Sequence, residues 1–396
     1  MITVKKAKEL LTRNVDILES RVEGLVDALG CALAEDVFSP VDLPPFTCSA
    51  MDGYAVRSSD VRSTKGAKLK IRGEIRAGDS KNITVEKGEA VRVLTGAPVP
   101  SGADCVVMQE YTQLEDCFVL VKTGVGKGEN IRTKGEEIRR GRKVLDAGTV
   151  LNPAVIGFLS IMGFDKVRAI RKPSVSVIVT GTEITKPGTA LKPGKVYDSN
   201  SFSLCSALKG MGINKIAVKR VGDEFSLIQE VFEKAVSGSD VVVFSGGISV
   251  GKYDFVRELF DKVGVETVFY KVKQKPGKPL YFGRYKGKPV FGLPGNPVSS
   301  LVCFYEYVYP VVRKMLGLYP VFLDEKTLTL GKEVTDKAGR VNFLRARAYR
   351  DTVMPLVPQQ SHMLSAFAEA NCLLVVPENR KFLRKGEKVK VHNLPL

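Results

Sequence analysis

The stretch VVVFSGGISVGKYDF, from Val241 to Phe255, joins an apolar run to a glycine turn and then to a charged, periodic segment. β-Branched residues favour a strand, and the pair Gly246-Gly247 ends that strand with backbone that can approach a ligand closely. The segment DFVRELFDKVG that follows carries apolar residues at helical spacing. The stretch therefore predicts a buried strand, a ligand-accepting turn and a covering helix.

The same alternation of strand and helix extends over residues 173–318. Strand patterns such as SVSVIVTG and NKIAVKRVG are each followed by a helical pattern of 11 to 16 residues, and a predicted hairpin, LYFGRYKGKPVFG, precedes a long helix that starts near Val298. Near-continuous apolar strands that alternate with helices are typical of a parallel sheet covered on both faces. We expect one α/β domain here, with its ligands at the carboxyl ends of the strands.

The regions on either side of the predicted α/β domain have a different sequence pattern. Residues 1–23 are predicted as a helix, and residues 142–172 as a short strand and an apolar helix that packs on the first. Residues 24–141 form a β-rich module of short strands and glycine turns, and residues 319–396 a small β-barrel or sandwich. The chain is therefore predicted to be a multidomain α/β plus β protein. We expect four domains: 1–23 with 142–172, 24–141, 173–318 and 319–396.

Composition narrows the classes of function. The net charge is +17, but the basic residues are spread along the chain, which does not favour nucleic acid as a partner. The seven cysteines include no C-x-x-C pair and there are only two histidines, which disfavours a zinc site. We therefore expect any metal to be a hard cation held by carboxylates, in the first place Mg²⁺. No apolar segment reaches the ~18 residues of a membrane span, and the amino terminus lacks a signal sequence. We expect a cytoplasmic protein.

Four predicted loops leave the carboxyl ends of the α/β strands. They are TGTEITKPG, VGDE, SGGISVGKYD and KQKPGKP, and they carry Glu183, Asp223, Asp254, Lys275 and Lys278. The third loop matches the first part of a phosphate-binding loop, but Tyr253 stands where such a loop needs a serine or threonine for Mg²⁺. A nucleotide hydrolase is therefore not favoured. What remains is an anion cradle formed by backbone N–H groups, or else a plain turn in which Asp254 only caps the next helix.

Two further segments suggest anion binding. KPGKP separates two lysines by a rigid Pro-Gly elbow, and GLPGNPVSS places Pro294 and Pro297 at the start of a helix, whose amino terminus attracts anions. Each segment alone is equally consistent with an ordinary solvated turn or a well-made helix start. We expect a site only where several of these loops converge.

Six motifs occur in this order along the chain: SAMDGYAV, LTGAPVPSGAD, TGTEI, SGGISVG, KPGKP and LPGNPVS. In their order and spacing they resemble the molybdopterin molybdenumtransferase family, the MoeA type that is related to the C-terminal domain of gephyrin. The resemblance extends over essentially the whole chain. It implies a molybdopterin-binding-like three-layer α/β domain, a β-rich inserted module, a small helical N-terminal domain and a C-terminal β-barrel.

The resemblance implies an activity and its partners. The substrate would be adenylylated molybdopterin, into whose dithiolene molybdate or tungstate is inserted while AMP is released with Mg²⁺. The resemblance also implies a homodimer with its site between the α/β domain of one subunit and the β module of the other, and molybdopterin adenylyltransferase as a partner protein. The residues present do not discriminate molybdate from tungstate.

The site residues follow from the matched motifs. The resemblance assigns catalysis to Asp52, Thr95, Glu137, Glu183 and Asp223. It assigns substrate binding to Gly246, Gly247, Ser249, Lys275, Lys278, Pro294 and Pro297. The metal would be held by Glu183 and Asp254, whereas Ser361 and His362, in QQSHML, have no assigned role.

Two other functions stay open at this point. The α/β domain alone resembles the adenylyltransferase that acts one step earlier, although the additional β regions argue against that assignment. The relation to gephyrin suggests a non-enzymatic scaffold, which would bind a peptide without turnover.

Overall fold

The structure, a computed structural model, describes residues 1–62, 66–248, 255–337 and 339–395. The chain divides into two compact units. Unit 1 comprises Met1–Ala34, Gly148–Pro153 and Lys166–Leu396, and unit 2 comprises Glu35–Ala147 and Ala154–Asp165. Among the described residues, no helix is both long and apolar enough to cross a membrane. The four domain boundaries drawn from the sequence stay predictions.

Unit 1 begins with helix α1, Val4–Arg13, which is shorter than the helix predicted over residues 1–23. Thr3 caps its start by accepting a hydrogen bond from the backbone N–H of Lys6 at 3.2 Å. Its end is fixed by Asn14, whose backbone N–H and side-chain amide both donate to the carbonyl of Leu10. The chain then forms strand β1, Ser20–Gly24, which pairs with residues 166–170, so that the predicted helix is wrong beyond Arg13.

Unit 2 confirms the predicted β-rich module. Its strands are β2 Val37–Phe38, β3 Cys48–Ser49, β4 Gly53–Val56, β5 Ala67–Ile75, β6 Glu89–Val93, β7 Cys105–Met108, β8 Thr112–Glu115, β9 Phe118–Val121, β10 Ile131–Arg132 and β11 Lys143–Leu145. Six of them form one sheet in the order β7-β4-β6-β5-β9-β8. The helices here are α2 Ser58–Val61 and α3 Pro153–Ile161, with one 3₁₀ turn, Gln109–Tyr111. Tyr54 and Val56 contribute to one apolar cluster and Ala55 to another, as the period-two geometry of a strand requires.

The α/β region of unit 1 follows. Its strands are β12 Lys166–Ile170, β13 Val175–Thr180, β14 Ile184–Thr185, β15 Val196–Tyr197, β16 Ile216–Val221, β17 Val241–Ser245, β18 Glu266–Tyr270, β19 Gln274–Lys275, β20 Tyr281–Tyr285 and β21 Lys288–Leu293. Its helices are α4 Asn200–Gly210, α5 Phe225–Gly238, α6 Phe255–Val263, α7 Pro297–Cys303 and α8 Tyr309–Met315, with a π turn, Phe304–Val308, between the last two. The main sheet has the order β16-β13-β17-β21-β20-β18, in which the first four strands are parallel.

Both faces of this sheet are buried, as its apolar strands predict. Val177 and Val243 pack into one hydrophobic cluster, whereas their neighbours Ile178 and Val242 pack into the cluster on the other face. Because adjacent residues of a strand point to opposite faces, a strand buried on both sides must be apolar throughout. The predicted hairpin is confirmed as β20 and β21, which pair antiparallel.

The C-terminal region confirms the predicted β-barrel. Its elements are β22 Glu325–Leu330, β23 Val334–Thr335, β24 Val341–Tyr349, β25 Thr352–Pro355, α9 Ser365–Ala368, β26 Cys372–Val376, β27 Phe382–Leu383 and β28 Lys388–Asn393. Strands β24, β25, β22, β28 and β26 pair in that order, and β26 pairs back with β24 to close the barrel. The short β19 pairs in parallel with β24, with Lys275 opposite Asn342. This pairing connects the KPGKP segment to the barrel.

Candidate active site

A cavity of about 660 Å³ lies at the carboxyl ends of β13, β17 and β21. Of the predicted site residues, those that line it are Glu183, Asp223, Gly246, Gly247, Pro294 and Pro297. Lys275 and Lys278 are not among its lining residues, although the adjacent Pro279 is. Ser249 and Asp254 lie outside the described residues, so that their predicted roles stay predictions. The loops therefore converge on one edge of the sheet, as the position of strand ends requires.

The glycine turn after β17 is confined by its neighbours. Gly246 and Gly247 have φ values of +101° and +65°. A Cβ on Gly246 would lie 2.8 Å from the carbonyl oxygen of Thr180, and one on Gly247 would lie 2.6 Å from Cγ2 of Val256. The turn therefore requires glycine for backbone geometry and for space.

One detail of the predicted anion cradle is wrong. The backbone N–H of Gly246 is not available to a ligand, because it donates to the carbonyl of Leu293 at 3.0 Å. This bond extends the pairing of β17 with β21 by one residue beyond Ser245. Gly246 therefore shapes the cavity wall, and its predicted role as an N–H donor to the substrate is excluded.

A buried asparagine holds two of the loops together. Nδ2 of Asn200 donates to Oγ of Ser245 at 2.8 Å and to the carbonyl oxygen of Gly295 at 2.7 Å. Asn200 begins α4 and lines the cavity, and it is 8% exposed. Sequence reasoning missed its role, because nothing in YDSNS indicates a partner 95 residues away. Asn200 fixes the strand ends relative to each other.

Asp198, beside this asparagine, is engaged by the protein. Its carboxylate accepts hydrogen bonds from the backbone N–H of Ser201 at 2.9 Å and from Nε of Arg220 at 2.6 Å. The side chain of Asp198 is fully buried, and these contacts compensate the cost of desolvating its charge. It is therefore a structural carboxylate of the cavity wall.

The hydroxyl of Thr180 is different, because it is buried without compensation. Thr180 is the last residue of β13, lines the cavity and is 5% exposed, yet its Oγ1 has no hydrogen-bond partner among the described residues. A buried hydroxyl without a partner costs free energy. Its position in the wall indicates a polar group of the ligand as the missing partner.

Two exposed carboxylates at the rim can hold a cation. Oδ2 of Asp223 accepts a hydrogen bond from the backbone N–H of Thr182 at 3.1 Å, and Glu183 follows in the same loop. The described residues contain no cluster of three or more histidine, cysteine or acidic side chains that could hold a metal alone. Mg²⁺ takes one or two carboxylates and completes its shell with water and substrate phosphates. Glu183 and Asp223 therefore fit Mg²⁺ that is shared with a ligand.

The strand that pairs with the KPGKP segment carries a buried cation that the sequence did not reveal. Arg345, on β24, is fully buried, and its Nη2 donates to the carbonyl oxygens of Pro358 and Gln360, at 2.8 and 3.3 Å. Its Nε has no hydrogen-bond partner among the described residues. Burial lowers the pKa of Arg345 to about 10, so that the guanidinium still carries its charge at neutral pH. A buried charge without a carboxylate partner among the described residues is expensive.

Ser361 is hydrogen-bonded to residues at the start of α7. Oγ of Ser361 accepts a hydrogen bond from Nδ2 of Asn296 at 3.1 Å, and its carbonyl oxygen accepts one from the backbone N–H of Val298. His362 is exposed. Of these two residues, only Ser361 contacts the loop that also lines the cavity.

Unit 2 brings together two of its three predicted residues. Oδ1 of Asp52 accepts hydrogen bonds from the backbone N–H of Thr95 at 2.7 Å and from its Oγ1 at 2.8 Å. These bonds lower the pKa of Asp52, which is exposed, and keep the carboxylate ionised. Glu137 lies on a separate turn, where its backbone N–H donates to the carbonyl of Leu43. Their predicted catalytic roles stay predictions.

Fold and site together define a class of protein. A parallel sheet covered on both faces, with a polar cavity at its carboxyl edge, is typical of an α/β protein that binds a small anionic ligand at the strand ends. Here that domain is joined to a β-rich module and to a closed β-barrel.

The relatives of the chain identify the family. Residues 2–163 match the family model of the MoeA N-terminal region (domain I and II), residues 176–314 that of a probable molybdopterin binding domain, and residues 327–394 that of the MoeA C-terminal region (domain IV). Molybdopterin molybdenumtransferase of Haemophilus influenzae is 34% identical, over 99% of this chain and 98% of that protein. Molybdopterin molybdenumtransferase 2 of Mycobacterium tuberculosis is 35% identical, over 93% and 94%.

A solved structure agrees with these relatives. The molybdopterin biosynthesis MoeA protein from Pyrococcus horikosii superposes with a TM-score of 0.84 at 33% identity, and 99% of each chain is covered. The chain belongs to the MoeA-type molybdopterin molybdenumtransferase family, enzymes of molybdenum cofactor biosynthesis. The resemblance seen in the six motifs is thereby confirmed.

Proposed function

We propose that the chain inserts molybdate into the dithiolene of adenylylated molybdopterin and releases AMP in an Mg²⁺-dependent reaction. The observation that carries this proposal is the cavity at the carboxyl edge of the sheet, on which Glu183, Asp223, Gly247, Pro294 and Pro297 converge. Its volume of about 660 Å³ lies in the range of sites for small organic ligands. The family supports the same substrate class.

The cavity offers suitable partners for a pterin nucleotide. Oγ1 of Thr180 would bond a polar group of the ligand, and the amino terminus of the 11-residue α4, at Ser199 and Asn200, favours a phosphate. The apolar walls, with Ile184 and Ile248, would cover an aromatic ring. This combination of a few placed polar groups and apolar walls is typical of cofactor-sized ligands.

The rim carboxylates fit Mg²⁺. Glu183 and Asp223 would hold the ion together with the phosphoanhydride, and we retain Asp254, outside the described residues, as a candidate third ligand. When bound, Mg²⁺ supplies charge neutralisation at the phosphoryl oxygens. The protein's own contribution is to orient the nucleotide between these carboxylates and the glycine turn.

Lys275 and Lys278 would bind the oxyanion, and the buried charge of Arg345 would add to the positive potential of this region. Molybdate is a dianion, and two exposed lysines on one turn provide the positive charge that such an ion requires. Parallel pairing of Lys275 with Asn342 places the KPGKP segment beside the strand that carries Arg345. Tungstate has nearly the same size and charge and would bind in the same way.

The remaining expectations rest on the family resemblance. We propose that two copies form a homodimer, in which Asp52, Thr95 and Glu137 of one copy complete the site of the other. Molybdopterin adenylyltransferase is the proposed partner protein, because it would supply the adenylylated substrate. The cytoplasm is the proposed location, in keeping with a family of enzymes of cofactor biosynthesis.

The test is the release of AMP from adenylylated molybdopterin by the purified full chain, with and without molybdate and Mg²⁺. We expect release that requires both, and no adenylylation of molybdopterin when ATP is supplied instead. ATP-dependent adenylylation would identify the enzyme of the earlier step. Absence of AMP release with either molybdate or tungstate would contradict the transferase and favour a gephyrin-like scaffold.

A further inference from the structure

The turn between Lys275 and Lys278 is hydrogen-bonded by the buried side-chain amide of Gln274. Gln274 is fully buried, and its Nε2 donates to the carbonyl oxygens of Pro276 and Gly277, at 3.1 Å each. Pro276 and Gly277 are the two residues between the lysines. One side chain therefore bonds both carbonyls of the segment that separates the two ammonium groups.

A tyrosine fixes the orientation of that amide. Oη of Tyr307, which is fully buried in the π turn, donates to Oε1 of Gln274. Burial raises the pKa of Tyr307 well above its ordinary value, so that the phenol keeps its proton and acts as a donor. Carbonyl oxygens only accept hydrogen bonds, so the amide nitrogen has to face Pro276 and Gly277, and the amide oxygen accepts the proton of Tyr307.

The turn also fits tightly against α7. Gly277 has a φ of +82°, and a Cβ at this position would lie 2.4 Å from Sγ of Cys303 and 3.0 Å from Nε2 of Gln274. Sγ of Cys303 contacts the carbonyl oxygen of Gly277 at 3.7 Å. Burial raises the pKa of Cys303, which therefore stays a neutral thiol. We refer to Gln274, Cys303 and Tyr307, the buried side chains that together restrict the lysine turn, as its seat.

We propose that Gln274 is a positioning residue for oxyanion binding: it holds Lys275 and Lys278 at the separation that the tetrahedral substrate requires, and Tyr307 orients its amide. Gln274 does not contact the substrate and acts only through the lysines. This inference rests on the proposed function, because it requires that the lysines bind the oxyanion. A fixed turn matters because each ammonium is carried on a flexible stem, so the backbone supplies the only rigid reference.

The test compares Gln274→Met, which keeps the volume but removes the donor, with Val312→Ala, a buried α8 residue that loses stability without belonging to the seat. We expect Gln274→Met to raise the KM for molybdate about tenfold, because two buried carbonyls lose their partner and the turn relaxes. The kcat at saturating molybdate and the KM for adenylylated molybdopterin should change little. Should Gln274→Met not fold, Tyr307→Phe removes only the orienting hydroxyl and should raise the same KM more weakly.

A double-mutant cycle separates positioning from general stability. In a Lys278→Ala background, Gln274→Met should change the KM for molybdate by about twofold or less, because one of the two lysines whose separation it fixes is gone. The same increase in both backgrounds, or an equal rise in both KM values as for a loss of stability, would overturn the inference. An unchanged KM in Gln274→Met beside an impaired Lys278→Ala would overturn it while leaving the proposed function intact. If Lys278→Ala itself left the KM for molybdate unchanged, the lysine assignment and this inference would fall together.

Discussion

At the scale of single residues, the cavity wall contains a buried hydroxyl, that of Thr180, to which the described residues offer no hydrogen bond. Oγ1 of Thr180 is buried in the wall and has no partner among the described residues, whereas its neighbours Asp198 and Asn200 are bonded by the protein. Such an atom is a cost to the free protein and a gain to a ligand that can bond it. Stability and binding should therefore respond in opposite directions at this position.

Thr180→Val tests this directly. Valine has the same shape and suits a strand, so we expect the free energy of unfolding to stay the same or rise by up to about 1 kcal/mol. The affinity for adenylylated molybdopterin should fall about five- to tenfold, because the ligand loses a hydrogen bond in a buried site. Urea unfolding and a binding titration measure the two quantities. A variant that binds as tightly as wild type would show that the hydroxyl has no role in recognition.

Asp240, which precedes β17 at the opposite edge of the sheet, stabilises the fold. Its carboxylate accepts hydrogen bonds from Nη1 and Nη2 of Arg171, both at 2.7 Å, and from the backbone N–H and Oγ of Ser174 at 2.7 and 2.8 Å. Burial opposes its charge, but these hydrogen bonds outweigh that effect and hold the pKa of the carboxyl well below its usual range. A carboxyl whose pKa is lower in the folded than in the unfolded state stabilises the fold above its unfolded pKa of about 3.9. This stabilisation is lost as the pH falls from there towards the folded pKa.

We therefore expect Asp240→Asn to lower the free energy of unfolding by about 2 kcal/mol at pH 7. The difference from wild type should shrink as the pH falls below about 4, because wild type then loses the same contribution. Urea unfolding from pH 7 to pH 3 measures it, and Asp261→Asn, an exposed position on α6, serves as the control. A difference that is independent of pH would contradict the assignment.

At the scale of elements, the π turn connects three parts of unit 1. Glu306, fully buried in this turn, pairs with Nζ of Lys8 on α1 at 2.5 Å and with Nδ1 of His392 on β28 at 2.6 Å. Tyr307, the next residue, donates a hydrogen bond to Gln274, which in turn bonds the backbone between Lys275 and Lys278. π turns are wider than α-helical turns and often occur at functional sites. Here the turn directs two successive polar side chains towards different partners.

Lys8→Met tests the ionic part of this junction. The variant leaves the buried carboxylate of Glu306 without its lysine, and we expect a loss of about 3 kcal/mol in the free energy of unfolding. The double variant Lys8→Met/Glu306→Met should recover part of that loss, because the buried carboxylate is gone, while Nδ1 of His392 loses its partner. Denaturant unfolding measures both, with Lys5→Met on the exposed face of α1 as the control. Equal stability of Lys8→Met and Lys5→Met would contradict a structural role for the pair.

The sequence predicts elements well where one local pattern dominates. The apolar runs of β13 and β17 fix strands buried on both faces, and the glycine turn after β17 needs its glycines for the space that Thr180 and Val256 leave. The helix predicted over residues 1–23 is too long, because helical spacing continues past Asn14 while the side chain of Asn14 caps the helix. The pairing of the two-residue β19 with β24 depends on tertiary contacts that no local pattern reports.

At the scale of the whole molecule, the site was predicted in part. Glycine, proline and rim carboxylates could be found because turns and strand ends leave a local signal, and six of them line the cavity. Asn200, Gln274 and Arg345 were missed as site residues, because their importance lies in burial and in partners distant in sequence. The four domain boundaries drawn from the sequence stay predictions, because the structure separates only two compact units.

The central claim is that this chain uses the KPGKP lysines to bring molybdate to an adenylylated pterin. The most direct measurement is the molybdate dependence of AMP release by wild type, Lys278→Ala and Lys166→Ala, the last an exposed lysine on β12. We expect wild type and Lys166→Ala to give the same curve, and Lys278→Ala to need about tenfold more molybdate or to lose the response, because one of the fixed charges is absent. Three identical curves, or no molybdate-dependent release by wild type, would contradict the claim.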